Sequence, residues 1–135
     1  MITPEANVEI VRRLLEAWNQ GDVAATLDQF DDDCEVAFRP QVPEPGPFHG
    51  RVELGAWMEG FRAAWISSRV QLVDVAAEQD DQLVAMLRLT GVGAESGIPI
   101  ELDWANLFEF RDGKIVRWRD FDDLSEALEA ARLGE

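Results

Sequence analysis

The chain reads as an α+β domain in which helices cover one face of a curved antiparallel sheet. Apolar residues recur at helical spacing through the first half, and from residue 70 onward the pattern changes to alternating strands separated by turn residues. The length points the same way: 135 residues is about one domain at ~100–200 residues per domain, so 1–135 is a single unit.

The helices come first. Thr3-Pro4-Glu5 supplies a hydroxyl cap followed by proline at the first helical position, and Val8, Val11, Leu14, Leu15 and Trp18 then keep one face apolar until Asn19-Gln20-Gly21. Asp22 caps a shorter helix through Val23, Leu27 and Phe30, which the acids Asp31 to Asp33 close. Cys34 to Phe38 reads as a short strand. Pro40, Pro43, Pro45 and Pro47 then force an extended loop, the kind of segment that rims a pocket. Gly50 begins a third helix whose apolar set is Leu54, Trp57, Met58, Phe61 and Trp65, ended by Ser67-Ser68.

The strands follow as Val70–Ala77, Leu83–Val92, Pro99–Phe110 and Ile115–Asp122. Gln79-Asp80-Asp81, Gly93–Gly97 and Arg111-Asp112-Gly113-Lys114 are the turns between them. Leu124 to Leu133 forms a closing helix with Ala127, Leu128 and Ala131 on its inner face.

Charge and composition remove several classes of function. Twelve Lys and Arg against 27 Asp and Glu leave a net charge of −15, which repels phosphate backbones and anionic headgroups, so neither nucleic acid nor membrane is an expected partner. Cys34 is alone and His49 is the single histidine, too few soft or imidazole ligands for zinc, haem or an iron–sulfur cluster. Gly91, Gly93 and Gly97 lack the strand-to-helix setting of a dinucleotide loop, and no metal or cofactor is expected. With no leader pattern at MITPEANVEI and no long apolar run, the cytoplasm is the expected compartment.

The order of elements, with WNQGD after the first helix, FHGR before the third and DGKIVRWRDFDD at the end, resembles the SnoaL-like, ketosteroid-isomerase-like branch of the nuclear transport factor 2 superfamily over nearly the whole chain. That resemblance implies a cone-shaped α+β barrel, a homodimer through the outer sheet face and an apolar pocket between helices and sheet. It implies the chemistry only weakly, because one cone hosts cyclases, isomerases, hydrolases and non-catalytic binders.

Alternation indicates which residues face that pocket. With a type I turn and a bulge at Gly113, Phe110 faces Lys114, and Trp104, Asn106 and Phe108 share a face with Trp118 and Asp120. A two-residue turn would instead bring Asp103 beside Asp120. The bulged register turns three aromatics inward. It leaves Asp103, Glu109, Arg117 and Arg119 on the opposite face, where an Arg117, Arg119 and Phe121 row suits an isologous dimer.

Asp120 is the expected centre of any chemistry. Steroid isomerases in this superfamily require an Asp base, a Tyr and a hydrogen-bond donor. The matching positions here are Phe38, Leu14 and Asn106, and the chain has no tyrosine. Losing the base alone removes ~100- to 10,000-fold. The limonene-epoxide-hydrolase type carries a tryptophan, arginine, aspartate order like Trp118-Arg119-Asp120 and an Asp-Arg-Asp relay. Arg88 matches the relay arginine, but Thr90 stands where its second acid would be. The resemblance to SnoaL-type cyclases requires only one aspartate as acid and base, a part open to Asp120 with Arg88 beside it. An Asp120–Arg88 pair that merely satisfies two buried groups is the alternative, and a non-catalytic binder or dimeric module the competing class.

Around that pair, the expected lining is Trp18, Phe38, His49, Trp57, Phe61, Trp104, Asn106, Phe108 and Trp118. Asn106 is placed to steady an oxyanion or satisfy Asp120, and His49 to stand at the pocket mouth. The expected partner is a small apolar molecule, neutral or cationic, with phosphorylated metabolites disfavoured by the negative field.

Overall fold

The computed structural model describes residues 4–39, 44–79 and 81–133. Thr3, Pro40, Pro43 and Asp80 of the sequence reading lie outside these residues. Helix α1 (Pro4–Asn19) and the short α2 (Val23–Leu27) lead into β1 (Phe30–Ala37), the two-residue β2 (Phe48–His49) and α3 (Gly50–Ala63). Strands β3 (Trp65–Glu78), β4 (Gln82–Gly93), β5 (Pro99–Arg111) and β6 (Lys114–Phe121) follow, then α4 (Leu124–Leu133). The described strands form one six-stranded sheet in the order β2-β1-β6-β5-β4-β3, curved but not closed.

Several sequence expectations are corrected. Phe30 ends no helix: it opens β1 and is fully buried, because the acids after it point outward from a strand and do not terminate a helix. Trp65 belongs to β3, since α3 stops at Ala63 and the chain extends directly into the sheet. The sheet is not wholly antiparallel either. β1 runs parallel to β6, with Val36 opposite Trp118 and Ala37 opposite Arg119.

The last hairpin also differs in detail. Arg111 pairs with Lys114 across a two-residue turn, and both Asp112 (φ 52°) and Gly113 (φ 78°) are left-handed, as a type I′ turn requires. The expected pairing of Phe110 with Lys114 is replaced by Phe110 with Ile115, and the bulge lies at Val116, between the pairs Phe110–Ile115 and Glu109–Arg117. That extra residue reverses the effect of the tighter turn. Asn106 ends opposite Asp120 and Phe108 opposite Trp118, the facing that the sequence predicts.

The quoted motifs have structural work. Asn19 of WNQGD exchanges two hydrogen bonds with the Val70 backbone (2.8 and 2.9 Å), tying α1 to β3. Asp22 caps α2 by accepting from the Ala25 N–H at 2.9 Å. Arg51 of FHGR donates Nε and Nη2 to the Phe30 carbonyl at 2.9 and 2.6 Å, which fixes α3 against β1.

Two apolar clusters lie on opposite faces of the sheet. On the inner face Ile10, Val11, Leu14, Leu54 and Met58 of the helices meet Leu83, Ala85, Leu87, Phe108 and Ile115 of the strands. On the outer face α4 lays Ala127 and Ala131 over Val84, Ala105 and Leu107, with Phe121 packed beside them. The closing helix therefore covers part of the face that the sequence reading leaves free, and Phe121 belongs to its contact. No described helix is long and apolar enough to cross a membrane.

Candidate functional site

A cavity of about 440 Å³ lies between the three leading helices and the inner sheet face. Its wall is aromatic and aliphatic in nearly equal parts. Phe38 stacks on Trp57 (ring centroids 4.5 Å apart), Trp57 on Phe61 (5.1 Å), and Phe38 meets Trp118 edge-on (5.1 Å). Trp18, Trp65 and Trp104 extend the wall, and Leu14, Leu87 and Leu89 are among the aliphatic residues that fill the gaps.

Among the described residues, the polar lining is confined to Thr26, Arg39 and Asp120. The Thr26 hydroxyl donates to the Asp22 carbonyl at 2.8 Å, which leaves the Arg39–Asp120 pair as the charged feature of the wall. Asp120 is held where β1 leaves the sheet. The Arg39 backbone N–H donates to Oδ1 at 2.7 Å, and Arg39 Nε stands 3.2 Å from Oδ2, close enough for an ion pair although its N–H is not aimed at that oxygen. Arg39 Nη1 donates to Asp122 Oδ1 at 2.8 Å. The three side chains thus form an Asp-Arg-Asp array. Its second acid is 54% exposed and does not line the cavity, so the array is not a two-carboxylate relay facing one ligand.

With its side chain 3% exposed, Asp120 has its carboxyl pushed above the ordinary carboxylate range. Burial is the main cause, and the backbone N–H and charge of Arg39 oppose it.

Arg88 is elsewhere. It lies on the outer face, donating Nε and Nη2 to the two oxygens of Asp103 at 2.8 and 3.0 Å, with Glu101 at 3.5 Å. The reason is readable within β4, where Leu83, Ala85, Leu87 and Leu89 alternate inward and so turn Arg88 out. The expected Asp120–Arg88 contact is therefore replaced by Asp120–Arg39.

Of the expected lining, Trp18, Phe38, Trp57, Phe61, Trp104 and Trp118 reach the cavity, and His49, Asn106 and Phe108 do not. The His49 side chain is 62% exposed and stands 3.7 Å from Glu35. Phe108 is fully buried behind Trp118 and stacked on it at 5.5 Å. Asn106 neither contacts Asp120 by a hydrogen bond nor offers an oxyanion donor. Its Oδ1 accepts from Trp118 Nε1 at 2.9 Å, and its amide donates to the Trp104 and Ala85 carbonyls at 3.1 and 3.4 Å.

Arg39, Trp65, Ile100 and Leu102 are among the lining residues missed by the sequence reading, as are Thr26 and the aliphatic residues of the wall. Ile100 and Leu102 were legible from alternation with Trp104. Arg39 was not, because nothing local announces that β1 runs beside β6.

Comparison with known proteins agrees with this fold. Residues 11–118 match the SnoaL-like domain. The uncharacterized protein YesE of Bacillus subtilis is 22% identical over 120 residues, spanning 87% of this chain and 81% of that protein. An NTF2-like protein of unknown function from Burkholderia pseudomallei superposes with a TM-score of 0.78 at 19% identity, covering 92% of this chain and 95% of that one. TerC, solved with polyporic acid, gives 0.77 at 19% identity over 92% and 96%. The domain match makes the chain a member of the SnoaL-like family, and its fold is NTF2-like.

Proposed function

We propose that the protein binds a small, largely apolar molecule in this cavity and holds it against the Asp120 carboxyl, which exchanges a proton with it in cyclase-, isomerase- or hydrolase-type chemistry. The observation that carries the reading is one buried acid, paired with Arg39, in a wall that is otherwise aromatic and aliphatic but for Thr26. Burial favours neutral Asp120 and Arg39 favours the carboxylate, an opposition that suits a group required to take up and return a proton. The polyporic acid found with TerC supports oxygenated aromatic compounds as the class to try first.

The test is a thermal-shift screen of neutral aromatic ketones, phenols and terpenoids against sugar phosphates and nucleotides. Stabilisation by the first group is expected, and stabilisation by the phosphorylated group alone would overturn the reading. For a compound that is turned over, Asp120→Asn should abolish turnover while the fold persists.

A second reading, binding without chemistry, is favoured by the two contacts that Arg39 makes with the carboxylate oxygens. In that case Asp120→Asn changes affinity and no substrate is consumed.

The same reading includes a cytoplasmic homodimer through the outer sheet face. Arg117 and Arg119 flank Glu109 there at 3.7 and 3.9 Å, a mixed-charge row able to meet its own copy around a two-fold axis. Because α4 occupies the area over Val84, Ala105 and Leu107, the contact is expected beside that helix. Sedimentation at micromolar concentration checks it, and a clean 15.2 kDa monomer removes the idea.

A further inference from the structure

We infer that the cavity continues into an outer apolar subsite at Ile100 and Leu102, and that its ligand is elongated, with an oxygenated head at Asp120 and an alkyl or alkenyl tail along β5. The inference rests on the binding reading above and names the ligand class more closely.

The β5–β6 ladder ends at the pair Ala105–Phe121, so the first half of β5 has a described neighbour only on the β4 side. Ile100 and Leu102 sit on that half, on the same inner face as Trp104, and both line the cavity that holds Asp120. They are nevertheless 37% and 44% exposed. Opposite them on β4 are Gly91 and Leu89. A side chain at Gly91 would meet the Ser67 carbonyl oxygen at 2.7 Å and the Trp65 ring at 2.8 Å, so the absence of one there leaves the ring in place.

The dimensions suit an extended molecule. Asn106 is directly across from Asp120, and Ile100 lies six residues further along β5, roughly 20 Å at ~3.3 Å per residue. Past Ile100 the strand ends at Pro99, which sets the far limit of an apolar tail along β5. A second copy of the chain is a poorer occupant. Glu101 and Asp103 alternate with the two apolar residues, and pairing this strand with itself would bring acids against acids.

The experiment titrates the full chain with 4-ethyl-, 4-butyl-, 4-hexyl- and 4-octylphenol, followed by intrinsic tryptophan fluorescence. The expected result is an affinity gain of about fourfold per added methylene, from ~0.8 kcal/mol per buried group. Leu102→Asp should weaken octylphenol about tenfold more than ethylphenol. Leu102→Ser gives the same contrast if the charge disturbs folding, with circular dichroism as the check.

Binding of ethylphenol with no gain along the series, or equal weakening of all four phenols, overturns the subsite and leaves the cavity reading intact. No binding by any of them overturns both. Retained chain-length dependence in Leu102→Asp, together with loss of a dimer in sedimentation, assigns the patch to a second copy and also overturns the inference.

Discussion

Arg39 holds Asp120 through two parts of the same residue, a backbone N–H at 2.7 Å on Oδ1 and a side-chain Nε 3.2 Å from Oδ2. The first contact survives any substitution of the arginine except proline. The second does not, so the two partners are not equivalent under mutation.

Removing one partner should therefore have unequal effects. Asp120→Asn keeps an acceptor for the Arg39 N–H and relieves a buried charge, and should change stability by less than about 1 kcal/mol. Arg39→Met leaves the carboxylate buried with half its support and should lower stability by about 1–3 kcal/mol. Urea unfolding at neutral pH checks both, and the double variant should recover most of the loss in Arg39→Met.

The pH dependence of stability carries two opposite signatures. The carboxyl of Asp120 is raised by burial, so the folded state holds its proton more tightly than the unfolded chain. Its stabilising contribution is complete below the ordinary carboxylate range and disappears as pH rises through the raised value. Asp123 is lowered by the Glu126 backbone N–H and the Ser125 hydroxyl at the start of α4, so its contribution is present above that range and disappears as pH falls. Melting temperatures between about pH 3 and pH 7 should show Asp120→Asn flattening the fall toward neutral pH, and Asp123→Asn flattening the fall toward acid.

Asn106 acts on the cavity at second hand, by holding the Trp118 indole. Asn106→Leu leaves Trp118 Nε1 without its acceptor in a buried setting and should lower stability by about 1–3 kcal/mol. A shift in tryptophan emission and weaker ligand binding should accompany the loss, and unchanged emission would show that the bond does not position the ring.

Two glycines offer a contrast of sign. Among the described residues no atom lies within 4 Å of a Cβ added at Gly113 or at Gly60, so neither substitution creates a clash with them. Gly113 is left-handed in the turn, and Gly113→Ala should lower stability by about 1 kcal/mol. Gly60 lies inside α3, and Gly60→Ala should raise stability by about 0.5–1 kcal/mol. Thermal denaturation of the two variants measures both.

The legible part of this fold was the part governed by local periodicity. The span of α4 coincides with its apolar spacing, and the inward facing of Trp104, Trp118 and Asp120 follows from alternation. What could not be read depends on segments distant in sequence. Arg39 joins Asp120 only because β1 lies parallel to β6, a pairing over some eighty residues that leaves no periodic trace. Arg88 was misassigned for another reason: matching it to a family role overrode the alternation of its own strand, which already turned it outward.

The extra residue at Val116 makes the chemistry of the cavity depend on counting. Between the type I′ turn and the carboxylate, the parity of the chain decides whether Trp118 and Asp120 or Arg117 and Arg119 face the helices. Losing a single residue in that short stretch would exchange an aromatic, acidic lining for a cationic one while every other wall stayed in place. A hairpin of this kind is an address written in chain length, so a descendant of this protein could acquire a different class of ligand through one codon deleted, with no lining residue substituted.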